Sequence, residues 1–555
     1  MVLSCRAARA AAAAPCAALQ DKSKPRRQRC RVAPRAAVVG IDLGTTNSCI
    51  AVIDRETGEP RLVRNRKGDA TTPSVVAYRP RGSDETTKGD AGGSNETGAT
   101  VEAAGEGGAA TPQGDVEVLV GELARRQAAA NPLNTFYSAK RFMGRQFSER
   151  EARAAARAMP YEVVEAAEEG SKQDDGDKDS GKGGGKGGGW SALQCPALDR
   201  ALLPEEIGAE LLRSLLADAE RDTGEPITKA VIGVPAYFSD EAVAATERAG
   251  ALAGLETVRT IREPVAAALA YGFRPDMPEE VILVFDLGGG TFDVSILVVG
   301  GGIAETLSTG GDTALGGDDL DARIAEHVVK ALGPKLGAKA RADPVAMHRL
   351  ASTAEASRKA LSDHNAVTMR LPFLVEGDEG PVGVEERLTR NLLEGLCQDE
   401  MRRLRMPVET CFEQAGMELE PIRQENERRE RDAKRNKRDK RQAKGKGRGK
   451  PAASLVTTMT EDGKLIDEEY MAVTQVVMVG GASRTPCVQR VVRHCTGIEP
   501  AFPINPDEAV ALGAAVRAGM NEGLVEGLQA VDPWQAALIN ALAKEGMLPT
   551  APINP

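Results

Sequence analysis

Two nearly identical pentapeptides stand far apart in this 555-residue chain: DLGTT at 42–46 and DLGGG at 286–290. Their surroundings match as well. The first lies in VVGIDLGTTNSCIAVID, residues 38–54, and the second in VILVFDLGGGTFDVSILVV, residues 281–299. Each is an apolar run, then Asp-Leu-Gly, then small residues, then a second apolar run. That pattern predicts strand, tight turn, strand. Glycine turns are common, and one copy alone would mean little. An aspartate at the same place in both copies predicts a duplicated fold.

The turns have the chemistry of a phosphate clamp. Glycine has no Cβ, so backbone N–H groups can approach an anion closely. Thr45, Thr46 and Thr291 add hydroxyl donors. Asp42 and Asp286, each at a strand end, offer carboxylates to hydrated Mg²⁺, which takes oxygen ligands and keeps several waters. Two such hairpins face to face would grip the β- and γ-phosphates of a nucleotide from both sides. GGASR at 480–484 is a third glycine turn leading into a helix N-terminus, which also favours an anion.

The rest of the chain alternates strand and helix. TKAVIGVPAYF (228–238) predicts a strand running into a loop. SDEAVAATERAGALAGL (239–255) predicts a helix capped by Ser239 or Asp240. TVRTIREPVAAALAYG (257–272) reads as a strand and a Pro-started helix. TQVVMVGGASRTPCVQRVVRHCTG (474–497) reads as strand, glycine turn, helix. This is an α/β pattern with ligand loops at strand ends.

Composition narrows the function classes. The length allows two to four domains with a large core. Aromatic residues make up only 3%, so an aliphatic core is expected. A formal net charge of −10 argues against nucleic acid as the main partner. The nine cysteines form no CxxC pair and the four histidines show no ligand or triad spacing. No apolar stretch is long enough to cross a membrane, so no membrane partner is expected. Residues 1–37 are rich in Ala and Arg with Asp21 as the one acid, which fits an organelle transit peptide. The chloroplast stroma is favoured, with the mitochondrial matrix second.

Three segments break the pattern. Residues 81–115 are Gly, Ala, Thr and acid, and 168–189 are Glu, Asp, Lys and Gly. The third, 423–456, is basic, with 14 Lys or Arg against 5 acids in 423–450. None has the apolar content to offset its ordering entropy, so all three read as disordered insertions in surface loops. GDKDSGK at 176–182 imitates the start of a Walker A loop, but Gly183 follows where Ser or Thr is needed. Neither the strand before nor the helix after is predicted there.

Together these segments resemble the ATPase domain of the 70-kDa heat-shock chaperones, most of all the DnaK-type branch. The resemblance rests on the two Asp-Leu-Gly hairpins and on TTPSVVAY, VGELARRQAAANPLNTFYSAKRFMGR, VIGVPAYFSD and AGLETVRTIREPVAAALAYG. It continues through STGGDTALGGDDLD, VVMVGGASRTPCVQ and INPDEAVALGAAV. It covers residues 38–520 apart from the insertions. It implies an actin-like (ribonuclease H-like) two-lobed α/β fold around a nucleotide cleft. On this reading lobe I spans 38–227, and lobe II with a return to lobe I spans 228–520.

The resemblance also implies roles. Asp42 and Asp286 would orient hydrated Mg²⁺, with K⁺ as an accessory ion. Lys140 would position the attacking water, with Glu263, Asp293 and Thr291 completing the hydrolysis site. Pro235 would relay nucleotide state. Nucleotide contacts are implied for Gly44, Thr45, Thr46 and Asn47 in the first turn and Gly288, Gly289 and Gly290 in the second. Glu355, Arg358, Lys359 and Ser362 fall where the family lays a helix against adenosine. Gly317, Gly480, Gly481, Ala482, Arg484 and Asp507 align with further pocket positions. The implied activity is hydrolysis of ATP to ADP and phosphate by a protein-folding chaperone. J-domain co-chaperones, a nucleotide-exchange factor and full-length chaperones are the implied partners, and a monomer is expected.

Several positions depart from the family pattern. Arg262 stands where Asn is usual, and it would pair with Glu263 or contact phosphate. Val243 replaces an arginine used in interdomain and J-protein coupling. Arg358 replaces Lys, and Ala314 replaces His. Resemblance stops near Met520, so 521–555 is expected to be a short tail without a peptide-binding domain. LQAVD faintly echoes the family's linker, and WQAALINALAKEG predicts one amphipathic helix. A second reading is therefore a nucleotide-dependent regulator or decoy that binds co-chaperones with little hydrolysis. A sugar kinase of the same fold is disfavoured by the SAKRFMG, VPAYF and REP motifs. A nucleic-acid binder is disfavoured by the lack of aromatic residues in the basic segment.

Overall fold

The computed structural model of the protein describes residues 37–81, 116–166, 189–271, 278–417, 419, 458–459, 465–466 and 472–531. Nearly all of the leader, the three insertions, the Walker-like heptapeptide and residues 532–555 lie outside them. Both expected hairpins are present. Strand Ala37–Asp42 pairs antiparallel with Asn47–Ile53, placing Asp42 opposite Cys49. Strand Glu280–Leu287 pairs antiparallel with Phe292–Gly300, placing Asp286 opposite Asp293. These strands are buried on both faces, which is why they read as continuous apolar runs rather than alternating ones.

Each hairpin founds a sheet of the same design. The first sheet runs Thr257–Arg262, Ile227–Val234, Ala37–Asp42, Asn47–Ile53, Pro60–Leu62. Its first two pairings are parallel and the other two antiparallel. In the second sheet, Gln475–Val479 runs parallel to Glu280–Leu287, followed by antiparallel Phe292–Gly300 and Ile303–Asp312. A parallel bridge between Val477 and Ala501 stands where the first sheet has its outermost parallel strand. The duplication expected from the repeated pentapeptides is therefore a duplicated mixed sheet, as in the actin-like fold.

One boundary is corrected. A cut at 227/228 would split the first sheet, because Ile227–Val234 and Thr257–Arg262 both belong to it. A parallel strand needs a crossover, and helix Pro204–Thr223 brings the chain back to pair beside Ala37–Asp42. The chain returns a second time through helix Ala509–Asn521, which packs on Ala37–Asp42. Beyond it, Gln529–Val531, inside the expected tail, adds a parallel strand to the second sheet beside Ile303–Glu305.

The two sheets meet across helices Glu263–Ala270 and Ala509–Asn521. A shared cluster joins Val38, Ala51 and Val231 of the first sheet to Ile282, Val284 and Val477 of the second, through Ala266, Ala267, Val510 and Ala514. Small residues let backbones touch here. A Cβ on Gly513 would stand 1.7 Å from the Ala266 carbonyl oxygen, and one on Gly40 would stand 1.9 Å from Ala515 N. The core is mostly aliphatic, as expected, with a few aromatics at its centre: Phe136, Phe142, Phe285 and Phe292 are among the largest fully buried side chains.

The ends of two insertions are neighbours in sheets. Pro80 pairs with Val116, and Ala166 N donates to Trp190 O at 2.8 Å. The chain can thus leave and return there without disturbing the layers. Among the described residues no helix is long and apolar enough to cross a membrane.

Candidate functional site

The two glycine turns face each other across one cleft. Asp42, Gly44, Thr45, Thr46 and Asn47 line it from the first lobe, and Asp286, Gly288, Gly289 and Thr291 line it from the second. The turns touch: a Cβ on Gly289 would stand 1.8 Å from Thr46 Oγ1. Lys140, Glu263, Glu355, Arg358, Lys359, Gly480, Gly481, Ala482 and Asp507 line the same cleft. Distant stretches of sequence thus converge because strand ends of both sheets open on one side.

Local structure explains how each charged group is held. Lys140 sits in a one-turn 3₁₀ helix, Ala139–Phe142, entered through Ser138 in the left-handed region (φ 53°). Glu263 begins helix Glu263–Ala270, where Pro264 sets the first turn and the helix dipole favours an acid. Lys140 Nζ donates to Glu263 Oε1 at 2.8 Å, and both side chains are buried. Lys140 also lies 5.7 Å from the centroid of the Phe238 ring.

The site carries more acid than base. Burial pushes Asp42 up to about 7, helped by the Glu263 carboxylate, against the pull of Lys140. Burial and Glu263 likewise push Asp293 up to about 7. Asp286 is raised well above the usual carboxylate range by burial, then by Glu263, Asp293 and Asp42. Burial alone would lower Lys140, but Glu263 and Asp42 more than offset it and hold the ammonium charged. Four carboxylates around one ammonium leave room for a further cation. Among the described residues no three His, Cys, Asp or Glu side chains converge as direct ligands. Carboxylate oxygens are the donor type that a hard dication takes.

The rim toward helix Pro344–Ala360 is built from ion pairs. Buried Arg358 donates from Nε to Asp321 Oδ1 at 2.7 Å and from Nη2 to Oδ2 at 2.9 Å. Glu355 pairs with Lys359 at 2.5 Å and reaches Arg125 of the opposite lobe at 4.0 Å. A larger cavity of about 1020 Å³ adjoins the cleft, sharing Thr45, Thr46 and Glu355 with it.

Some expected contacts lie outside the cleft lining. Asp293 is buried one strand behind and accepts from Tyr237 N at 3.3 Å. Gly290 packs on Thr45 and Arg141, and Gly317 sits behind the Arg358 guanidinium. Arg484 bonds Asn505 at 2.6 Å and Asp507 at 3.3 Å. Ser362 follows the end of helix Pro344–Ala360, and its carbonyl accepts from Arg390 at 2.7 Å. Pro235 is buried behind the cleft.

Arg262 is a second correction. It pairs neither with Glu263 nor toward the glycine turns. Its Nη1 donates to the carbonyls of Pro235 at 3.0 Å and Phe238 at 3.3 Å. The strand-to-helix corner turns residues 262 and 263 to opposite sides, so neighbours in sequence have separate partners. Arg141, which the motifs did not single out, belongs to the site. Its Nη2 donates to Asp319 at 2.8 Å and to the Gly289 carbonyl at 3.3 Å, tying the Lys140 turn to the second glycine turn. Its position beside Lys140 was the one available signal.

The protein matches the family described as "Hsp70 protein" over residues 38–103, 95–424 and 452–535. It is 39% identical over 495 residues to "Heat shock 70 kDa protein 6, chloroplastic" of Arabidopsis thaliana, covering 89% of this chain and 54% of that protein. The same identity and coverage hold for the "Stromal 70 kDa heat shock-related protein, chloroplastic" of Pisum sativum. The "Chaperone protein dnaK" of Thalassiosira pseudonana is 37% identical over 89% of this chain and 64% of its own length. The chain therefore spans between half and two thirds of the length of these curated relatives.

Proposed function

Because the chain belongs to the Hsp70 protein family, we propose that it binds ATP between its two lobes and hydrolyses it to ADP and phosphate as a protein-folding chaperone. The observation that carries this reading is the Lys140–Glu263 pair at 2.8 Å, set between the aspartates of two glycine turns. Phosphoryl transfer to water needs positioning and charge neutralisation more than covalent help. Lys140 holds the attacking water, Glu263 beside it orients the water and accepts its proton, and Asp293, one strand behind, completes the acidic set. Thr45, Thr46 and Thr291 donate to phosphate oxygens alongside the glycine N–H groups. Asp42 and Asp286 would hold a hydrated Mg²⁺, which would supply neutralisation of the phosphate charge. Arg358 and Glu355 line the end of the cleft assigned to adenosine.

Arg262 gives no support to the regulator reading, since it leaves Glu263 to Lys140. The chloroplastic names of the relatives, with the Ala- and Arg-rich leader, support the plastid stroma. J-domain co-chaperones and an exchange factor are the proposed partners, and the isolated protein is a monomer on this reading. Single-turnover hydrolysis of [γ-³²P]ATP with Mg²⁺, beside Lys140→Ala, tests the core of it. Turnover that disappears in the variant while ATP still binds is the expected result. Tight binding without hydrolysis by the unsubstituted protein would replace it with the regulator reading.

A further inference from the structure

The turn Pro235–Phe238 lies between a cation and a carboxylate. Phe238 N donates to Pro235 O at 3.2 Å, closing the turn. Its carbonyls face half-buried Arg262, which bonds Pro235 O at 3.0 Å and Phe238 O at 3.3 Å. On the other side Tyr237 N donates to Asp293 Oδ1 at 3.3 Å. The turn's dipole is thus held at both ends by charge. Its Phe238 ring rests 5.7 Å from the Lys140 ammonium, and that ammonium bonds Glu263, the residue after Arg262. The contacts form a circuit: Arg262 to Phe238, Phe238 to Lys140, Lys140 to Glu263, and back through one peptide bond.

We propose that Arg262 is a positioning residue that straps this turn, so that the Phe238 ring confines Lys140 and the Tyr237 N–H orients Asp293. The inference rests on the hydrolysis reading above. Hydrogen bonds from a charged donor are roughly twice as strong as neutral ones. A single guanidinium nitrogen bonding both carbonyls fixes the turn's orientation as well as its shape. Without it the turn keeps its own hydrogen bond but is free to swing, and Lys140 loses the wall that restricts it. Arg262 touches neither reacting atom nor glycine turn, so its loss acts on the hydrolysis step rather than on nucleotide affinity.

The test compares single-turnover rate, MgATP Kd and melting temperature for the full chain and for Arg262→Ala, Arg262→Lys and Phe238→Leu. Arg262→Ala is expected to hydrolyse about tenfold slower, the scale of one or two lost charge-assisted hydrogen bonds. Its Kd should stay within about twofold, and Arg262→Lys should recover part of the rate. Combined with Phe238→Leu, Arg262→Ala should add much less than it does alone, because both act through Lys140. Should Arg262→Ala not fold, Arg262→Gln carries the same expectation. The inference is overturned by an unchanged rate, by multiplicative effects in the double variant, or by rate, affinity and melting temperature falling together. Those results with an active unsubstituted protein overturn it alone. No turnover by the unsubstituted protein overturns it together with the hydrolysis reading.

Discussion

Thr46 Oγ1 occupies the space that a side chain on Gly289 would need, 1.8 Å from the position of its Cβ. The two glycine turns are therefore in contact across the cleft, with no room for a methyl group between Gly289 and the Thr46 hydroxyl as it stands. A methyl group on Gly289 meets that hydroxyl and, at 3.1 Å, the Thr46 Cβ, so Gly289→Ala has to turn the Thr46 side chain away or shift the backbone beside it. The chain should still fold, since each sheet keeps its own core. MgATP affinity is expected to fall at least about tenfold, because N–H donors lose their aim at a common anion. Isothermal titration with MgATP checks it, and an unchanged Kd would contradict the contact.

Lys140 and Glu263 form a buried pair, so removing the ammonium has two effects. Glu263 is left in the cleft without its cation, beside three other carboxylates. Lys140→Ala should destabilise the metal-free protein by about 1–3 kcal/mol, less than the full cost of breaking an ion pair because the cleft admits water. Hydrolysis should be lost while ATP binding persists. Chemical denaturation and single-turnover assays on the same preparation separate the two effects.

The acidic cluster makes stability depend on pH in a definite direction. Asp42 and Asp293 are raised from 3.8 to about 7 in the folded protein by burial and Glu263. Between those values the native state holds protons that the unfolded chain has released. The stabilisation is present at low pH and is lost as pH rises through about 7. The metal-free protein should melt at a lower temperature at pH 8 than at pH 6. Mg²⁺ should raise the melting temperature more at pH 8, because it binds the deprotonated carboxylates. Thermal melts with EDTA or Mg²⁺ at both pH values decide it, and an Mg²⁺ effect larger at pH 6 would sink the assignment.

The approach of helix Ala509–Asn521 to helix Glu263–Ala270 is backbone to backbone. A Cβ at Gly513 would stand 1.7 Å from the Ala266 carbonyl oxygen, deep between the two sheets. Gly513→Ala should cost about 3 kcal/mol, at the upper end of overpacking effects, because neither helix can move without opening the shared core. Urea denaturation measures it. A loss under about 1 kcal/mol would mean that the two helices slide apart readily.

Much of the site was legible in the chain because its signals are local. Asp-Leu-Gly at a strand end, Pro264 at a helix start and Ser239 before Asp240–Leu252 each act within a few residues, through turn chemistry, φ restriction and capping. Lys140 was a different case. Nothing in its own neighbourhood separates it from a surface lysine, and only the resemblance marked it out. The lobe boundary at 227/228 was misplaced because sheet membership depends on pairing between segments nearly 200 residues apart, which no local pattern records.

By itself the sequence determined the two hairpins, the acids at their turns and the alternation of strand and helix between them. Those follow from backbone preference and apolar periodicity, which each residue carries wherever it sits. Only the tertiary structure decided which partners the charges take. It sent Arg262 to the Pro235–Phe238 turn and left Glu263 to Lys140, and it drew Arg141 to Asp319 and Gly289. It also brought Gln529–Val531 to the edge of the second sheet. A charged side chain has many possible partners along an unfolded chain, and the folded geometry alone chooses among them.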